Sequence, residues 1–541
     1  MLKYFKWIHR NTEGVRLTLH INVFLGILNV CFNMAFIVIS KRLVDIATRV
    51  SPGDFVFWCI MLCVISAVRI AMNAYRIRLE NVSLSKMNFI IRRRLYSDLT
   101  RTSWEGRSRM HSGDTLNRLF TDVDSVSKLL CSESPSMATT MFQLVMAMGL
   151  MCILDARLAL VIILTTPLLI LFSKVFFSRV KQVTANIRST ESCIQSHIQE
   201  SLQHKEIIQS FGREGAMESK LDSLQDNEFG DIMKRTNYNI FSRILLGTAF
   251  TGGYIAAFLW GVTGIWKGTI TFGMMTAFLQ LVGQIQSPIL NLTRQIPSFV
   301  YAAASIDRLT ELSDTPKEEK SKPVTVEGVP GIVIDNISFR YTDGEKDIFH
   351  GFSAEFPPGS RTSIIGETGA GKSTLIRLML SLLKPQEGHI WFTDKNGKRI
   401  EASAGTRSNI VFVPQGNTLF SGTIRENLLL GNPEADEQQM WKALDTSVAS
   451  FVRGLPGGLD TRCGEMGFGL SEGQAQRIAI ARALLRKGGV LLLDEFSSSL
   501  DPATEEKLME NLSKEVSGKT MIFITHREKI TEYCDSILRI G

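Results

Sequence analysis

The stretch Gly366-Glu367-Thr368-Gly369-Ala370-Gly371-Lys372-Ser373, continued by Thr374, decides the fold of the C-terminal part of this chain. It fits the spacing G-x-x-x-x-G-K-[ST], in which glycines let backbone N–H groups surround a β-phosphate. Lys372 supplies a point charge to the same phosphates, and Ser373 offers a hydroxyl to Mg²⁺. The β-rich run Arg361–Ile365 precedes the loop and a helical pattern, Ser373–Leu380, follows it. A helix opening there turns its positive end toward the phosphates. The reading is an ATP-binding loop. Downstream, Val490-Leu491-Leu492-Leu493 makes a buried strand, from whose end Asp494 and Glu495 emerge. Beside a phosphate loop, Asp494 is suited to the Mg²⁺ shell and Glu495 to polarising an attacking water. The runs Ile332–Phe339, Ile410–Pro414 and Met521–Thr525 also read as strands. Several are continuously apolar, as expected of an α/β sheet covered on both faces.

Upstream the composition changes. Residues 312–330, rich in Glu, Lys, Ser, Thr and Pro, read as a solvated linker. Before them, six apolar runs are long enough to cross a bilayer, which takes about 20 residues. They are Leu19–Ile39, Phe55–Tyr75, Ser136–Leu154, Leu158–Phe177, Ile240–Trp266 and Phe272–Phe299. The first ten residues, MLKYFKWIHR, are short, basic and aromatic, which predicts a helix lying at the membrane interface. Arg and Lys crowd the segment after the second span (Arg76, Arg78, Lys86, Arg92, Arg93, Arg94) and are sparse in the loops after spans one, three and five. That asymmetry puts both termini in the cytoplasm. The net charge of +7 therefore reads as a topology signal rather than a nucleic-acid footprint. The 8 cysteines are scattered without a C-x-x-C pair, so neither a zinc site nor a disulfide framework is indicated.

The two inner segments, Arg76–Ser134 and Ser178–Asn239, lack proline and are far longer than ordinary loops. They read as helical extensions of the spans, about 45 Å for thirty residues. Turns are expected near Ser103-Trp104-Glu105-Gly106 and Ser210-Phe211-Gly212-Arg213-Glu214. Within the spans, Asn22, Asn29, Asn33, Arg69, Asn73, Gln280, Gln284, Asn291 and Arg294 are polar. Such residues either line a watery pathway or hydrogen-bond between helices.

A third motif names a family. Leu470-Ser471-Glu472-Gly473-Gln474, leading a basic helix, resembles the signature of ABC ATPases. Gln415 after Val411-Phe412-Val413-Pro414, Ser499-Leu500-Asp501 past the acidic strand end, His526 after Met521–Thr525, and Tyr341 ahead of the phosphate loop recur in the same order. Ser112-Gly113-Asp114, Asp155-Ala156-Arg157, Phe211-Gly212-Arg213-Glu214 and Ser305-Ile306-Asp307-Arg308 are similar to patterns of exporter-type ABC half-transporters. The resemblance thus extends over nearly the whole chain. It implies an all-α, six-helix transmembrane domain at 1–311, the linker at 312–330, and a cytoplasmic α/β P-loop NTPase domain of the ABC type at 331–541.

The resemblance also implies roles. Tyr341 stacks on adenine, and Gly366–Thr374 hold the phosphates. Ser373, Gln415 and Asp494 serve Mg²⁺, Glu495 is the base, and His526 contacts the γ-phosphate. Ser471, Glu472, Gly473 and Gln474 act on the nucleotide of a second subunit, with Asp501 in the loop between sites. Glu472 departs from the usual glycine and sets a carboxylate near phosphates. The implied partners are a second half-transporter subunit, membrane lipid and a transported substrate. A homodimer is the default, because every catalytic position is filled, and a heterodimer is the alternative. The activity implied is ATP-driven export or flipping of a lipid, drug or peptide across a plasma (bacterial inner) membrane. An importer of the same fold, or an ATP-gated regulator that does not pump, are the other readings.

Overall fold

The computed structural model describes residues 2–105, 112–319, 321–341, 346–367, 369–464, 469–516 and 518–540. At 2–6, 112, 161–178, 181, 246, 249, 293, 294, 296 and 528 it describes the backbone alone. The chain forms two compact units. One comprises Met1–Ser97 with Ser112–Asp314, the other Asp98–His111 with Thr315–Gly541.

The first unit is helical. The short α1 (Leu2–Asn11) precedes α2 (Arg16–Ala47), α3 (Phe55–Leu99), α4 (Gly113–Leu154), α5 (Ala156–Gln203), α6 (Lys205–Ser210), α7 (Glu214–Trp266) and α8 (Phe272–Ser313). All six apolar runs lie on the long helices, which at 42 to 53 residues (α2, with 32, apart) far exceed the bilayer. Among the described residues, α2, α3, α4 and α7 are long and apolar enough to cross a membrane. The apolar stretch of α5 falls where only backbone is described, and amides such as Gln280, Gln284 and Asn291 dilute α8.

Small residues let these helices approach. Ala147, Ala257 and Ala277, from α4, α7 and α8, are fully buried in one cluster with Phe278 and Met151. Interhelical hydrogen bonding accounts for part of the polar set: Asn33 and Gln143 both donate to Gln284 Oε1, at 2.7 and 2.6 Å, joining α2, α4 and α8. Asp155 caps α5 through the N–H groups of Arg157 and Leu158 and accepts Trp260 Nε1 at 2.9 Å. In α4, π-helical turns at Arg118–Asp122 and Leu129–Glu133 interrupt the regular winding. The first carries Asp122, which holds Arg308 and Ser305 of α8. The second inner segment turns where expected, through α6 and a left-handed Gly212 (φ 59°).

The second unit centres on a parallel sheet in the order β9-β3-β8-β7-β6, where β3 is Arg361–Gly366, β6 Ile410–Val413, β7 Val490–Asp494, β8 Thr520–Ile524 and β9 Ser536–Ile540. Every residue of β7 and β8 is buried, which explains their uninterrupted apolar runs. An antiparallel sheet, β2-β1-β4-β5, flanks it: β1 is Gly331–Phe339, β2 Phe349–Phe356, β4 Glu387–Thr393 and β5 Arg399–Glu401. The helices α9 (Lys372–Met379), α10 (Ile424–Leu429), α11 (Glu437–Thr446), α12 (Glu472–Leu485) and α13 (Pro502–Glu515) complete the unit. The polar stretch before β1 is pinned to this unit. Val324 N–H reaches Gly405 O (3.0 Å), Val326 N–H reaches Asn409 Oδ1 (2.9 Å), and Glu318 is clasped by Arg407.

The first inner turn also belongs here. Ser103 N–H donates to Pro316 O at 2.9 Å, Thr102 bridges Lys317, and Trp104 packs on the core beneath the β1 sheet.

Candidate functional site

The phosphate loop is shaped by close packing. A Cβ on Gly366 would lie 2.2 Å from Ile540 O, so the end of β3 tolerates no side chain beside β9. Gly369 and Gly371 take φ values of +93° and +94°, which L side chains rarely adopt. Thr368 lies outside the described residues. Lys372, 8% exposed, folds back over the loop: its Nζ donates to Gly366 O (2.6 Å) and Glu367 O (3.0 Å) and lies 3.2 Å from His526 Nε2. Ser373 is exposed, whereas the buried Thr374 meets the Tyr341 hydroxyl at 3.2 Å. Arg377 Nη1 donates to that same hydroxyl at 2.8 Å, and Phe339 meets the Tyr341 ring edge-on at 5.1 Å. Tyr341 is therefore held beside the loop, with Gly369 and Ala370 at the loop's crown.

Four predicted residues converge opposite. Glu495 Oε2 accepts Gln415 Nε2 at 2.5 Å, and Glu495 Oε1 lies 3.2 Å from His526 Nε2. Through His526 the group connects to Lys372. Glu495 sits at φ +44°, a conformation that costs a non-glycine residue on the order of 1–3 kcal/mol. Its N–H pairs with Ile524 O at 2.9 Å, so the last rungs between β7 and β8 impose the turn. Burial, and then the neighbouring Glu495 carboxylate, push the Asp494 carboxyl up to about 6, against the pull of Arg377 and Lys372.

The signature starts α12. Ser471 accepts Gln474 N–H while Gln474 Oε1 accepts Ser471 N–H, a reciprocal cap. Glu472 occupies the exposed first turn. Gly473 packs against the loop before α13: a Cβ there would lie 2.7 Å from Ser499 O and 3.3 Å from Leu500 Cδ2. Asp501 caps α13 by accepting Thr504 N–H at 3.0 Å; a hydrogen bond from the Thr504 side chain, and then this one from its backbone, hold the Asp501 carboxyl below the usual range. Among the described residues, the side-chain hydrogen bonds of Ser471 and Gln474 run to each other's backbone N–H and none reaches the phosphate loop.

Two contributors, Gln476 and Arg377, were not marked in the sequence, and Trp104 was marked only as part of a turn. Gln476, wholly buried, donates to Glu495 O at 3.2 Å and ties α12 to the strained turn. Arg377 and Trp104 stack, with the guanidinium 4.8 Å from the ring centroid. Arg377 thereby links the Tyr341 hydroxyl to the first inner turn. Gln476 had one available signal, a second amide two positions past Gln474. Nothing local distinguishes Arg377 from a surface arginine.

Comparison with known proteins now decides the family. The family described as ABC transporter transmembrane region matches residues 19–289, about half of the chain, and the ABC transporter family matches 349–498. The chain belongs to the ABC transporters. It is an exporter-type half-transporter, a multi-pass membrane protein in which one ATPase domain is fused to one transmembrane region. This transporter is 26% identical over 549 residues to the “Putative multidrug export ATP-binding/permease protein YgaD” of Bacillus subtilis (strain 168), covering 99% of this chain and 94% of that one. It is 28% identical to the “Uncharacterized ABC transporter ATP-binding protein YknV” of the same organism, over 86% of this chain and 78% of the relative. A solved “Structure of a bacterial Atm1-family ABC exporter with ATP bound” shares the fold, with a TM-score of 0.81, 23% identity, and coverage of 98% and 94%.

Proposed function

We propose that this ABC transporter exports or flips an amphipathic substrate across a plasma membrane as a homodimer, using ATP bound and hydrolysed at two composite sites. The observation that carries the reading is a division within one unit. Lys372, Gln415, Glu495 and His526 form one connected group, while Ser471 and Gly473 are built rigidly on α12 outside it. A second copy supplies the missing half of each site.

The donor set fits a hard cation, with a hydroxyl at the exposed Ser373, an amide oxygen at Gln415 and the Asp494 carboxylate. Mg²⁺ held there neutralises charge on the β- and γ-phosphates when bound. Incoming phosphates replace Gly366 O and Glu367 O as the partners of Lys372. Glu495, freed from Gln415, accepts a proton from the attacking water, and His526 turns its Nε2 to the γ-phosphate. Tyr341 receives the adenine with its hydroxyl already fixed.

Motion leaves the site by two routes. Tyr341, Arg377 and Trp104 connect it to the first inner turn, and Phe211 beside α6 is 74% exposed, an apolar handle suited to the partner's ATPase domain. Crowding of Arg and Lys after the second span supports cytoplasmic termini. The multidrug name of YgaD supports an amphipathic cargo.

The test is transport by the full chain in proteoliposomes with ATP added outside, so that exporters load the lumen. Uptake of an amphipathic panel member that Glu495→Gln abolishes is the expected result. The same variant should bind ATP within about threefold of wild type while turnover drops at least about 100-fold. Wild-type turnover in Glu495→Gln, or ATP-driven efflux instead of uptake, refutes the assignment.

A further inference from the structure

Arg69 and Arg76 lie seven residues apart on α3, hence on one helical face about 10 Å apart. Both turn toward α2. The Arg69 guanidinium sits 5.2 Å from the Phe36 ring centroid. Arg76 reaches Gly26, where an added Cβ would come within 3.3 Å of Arg76 Nη1 and 2.2 Å of Thr139 Cγ2 of α4. Gly26 thus makes room chiefly for Thr139, with the Arg76 guanidinium packed alongside. Neither arginine donates a hydrogen bond or makes an ion pair among the described residues, and the Nε of each is buried without a partner. Between them on the facing stripe of α2, Asn29 Oδ1 is buried and unpartnered as well. The carboxylate one turn further along α3, Glu80, is engaged by the Ser132 hydroxyl.

Other arginines of this unit show the contrast. Arg308 is held by Asp122, and Arg118 by Glu311 at 2.8 Å. Arg69 lies in the apolar part of α3, where its neighbours Val68 and Ile70 are exposed, so a ligand can approach the guanidinium from the bilayer side. A guanidinium does not deprotonate to escape the membrane, and intramembrane cations are ordinarily paired. Two such groups beside a lone amide acceptor make a receptor that lacks its anion.

We propose that Arg69, Arg76 and Asn29 form a head-group site for an amphipathic phosphate or carboxylate that also carries a hydroxyl or N–H donor. Arg76, beside Asn29, grips the anion through parallel N–H bonds, as its planar fork favours, and Arg69, about 10 Å further along α3, adds its charge at longer range. Asn29 Oδ1 accepts the adjacent donor, and the acyl or alkyl chain lies along the open apolar face of α3. The inference names a cargo class for the export reading, but binding can be measured without transport.

The probe is oleoyl lysophosphatidic acid, which has one chain, a phosphate and a free hydroxyl. Binding is measured to full-length protein in phosphatidylcholine nanodiscs, on the Glu495→Gln background so that turnover plays no part. Saturable binding is expected, with uncharged monooleoylglycerol at least tenfold weaker. Arg76→Gln and Arg69→Gln are each expected to weaken it on the order of tenfold, and Arg76→Lys to recover part of the loss. Gel filtration and ATP binding establish that the variants are folded. Competition by diacyl phosphatidic acid in the disc identifies a membrane lipid as the source, and its absence identifies a single-chain amphiphile. The proposal is overturned if the glutamine variants bind like wild type, or if monooleoylglycerol binds equally well. It is also overturned if Arg76→Gln loses the dimer yet keeps the probe, which would make these arginines subunit contacts. Failure of export with binding intact would reject the transport reading and leave this site standing.

Discussion

Replacing Gly473 by alanine tests the composite-site reading at its tightest point. The added Cβ would lie 2.7 Å from Ser499 O and 3.3 Å from Leu500 Cδ2. Ser499 O is backbone, in a segment held by the Asp501 cap of α13 and by Arg527, whose Nη1 donates to Leu500 O at 3.3 Å. The carbonyl cannot swing aside, so the start of α12 must retreat by several tenths of an ångström to reach ordinary contact. Overpacking of this kind costs roughly 1–3 kcal/mol. On the composite-site reading the displaced atoms meet the partner's nucleotide, so the cost is expected in closure of the dimer rather than in the phosphate loop. Translated to rate, hydrolysis should fall about 5- to 150-fold. The assay is ATPase activity of the full chain in nanodiscs, paired with fluorescent-ATP binding, which should stay within about threefold of wild type. Wild-type hydrolysis in Gly473→Ala would refute the role assigned to this packing. Loss of ATP binding in step with hydrolysis would place the damage in the first half of the site and sink the argument equally.

Trp104→Ala removes the ring that stacks on Arg377, a contact of about 0.5–2 kcal/mol; transport per ATP hydrolysed in proteoliposomes should drop several-fold with ATP affinity nearly unchanged. Asp494→Asn tests the raised carboxyl. Because the folded-state value of about 6 exceeds the unfolded one, the charged form opposes folding, and stability declines as pH rises from about 4 through 6. Thermal unfolding should therefore show the asparagine variant melting a few degrees higher at pH 7.5, with the gap closing as pH falls below 6. Glu472→Gly removes an exposed carboxylate from the α12 start. ATPase activity should rise several-fold if, as the composite-site reading has it, the carboxylate faces phosphates in the closed dimer; no change at saturating ATP would mean that Glu472 does not approach the nucleotide.

Local chemistry determined a good part of this protein. Gly369, Gly371 and Lys372 declare a phosphate loop because only that residue order permits the loop's backbone, and the apolar runs of β7 and β8 declare strands covered on both faces. The spans were legible because about 20 apolar residues have one solvent to go to. The antiparallel sheet was not legible. Strands β2, β4 and β5 are largely unburied, with interrupted alternation, so the pairing of β2 and β4 with β1, and of β5 with β4, emerges only when the register is formed. The stretch 312–330 reads as solvated from composition, yet Val326 is 4% exposed and Glu318 is gripped by Arg407; a polar segment is held once the surface it meets exists.

The site divides in the same way. Sequence order supplied Lys372, Gln415, Asp494, Glu495 and His526 as chemistry, because each type has few alternatives at its task. Only the tertiary structure decided that Glu495 is shared between Gln415 and His526 in a strained turn, and that Gln476 braces it from α12. Only the tertiary structure decided that Arg377 connects Tyr341 to Trp104, or that Arg69 and Arg76 face one stripe of α2 without a counter-charge. Those relations join residues far apart in the chain. Their strength depends on distances and burial that no local pattern encodes.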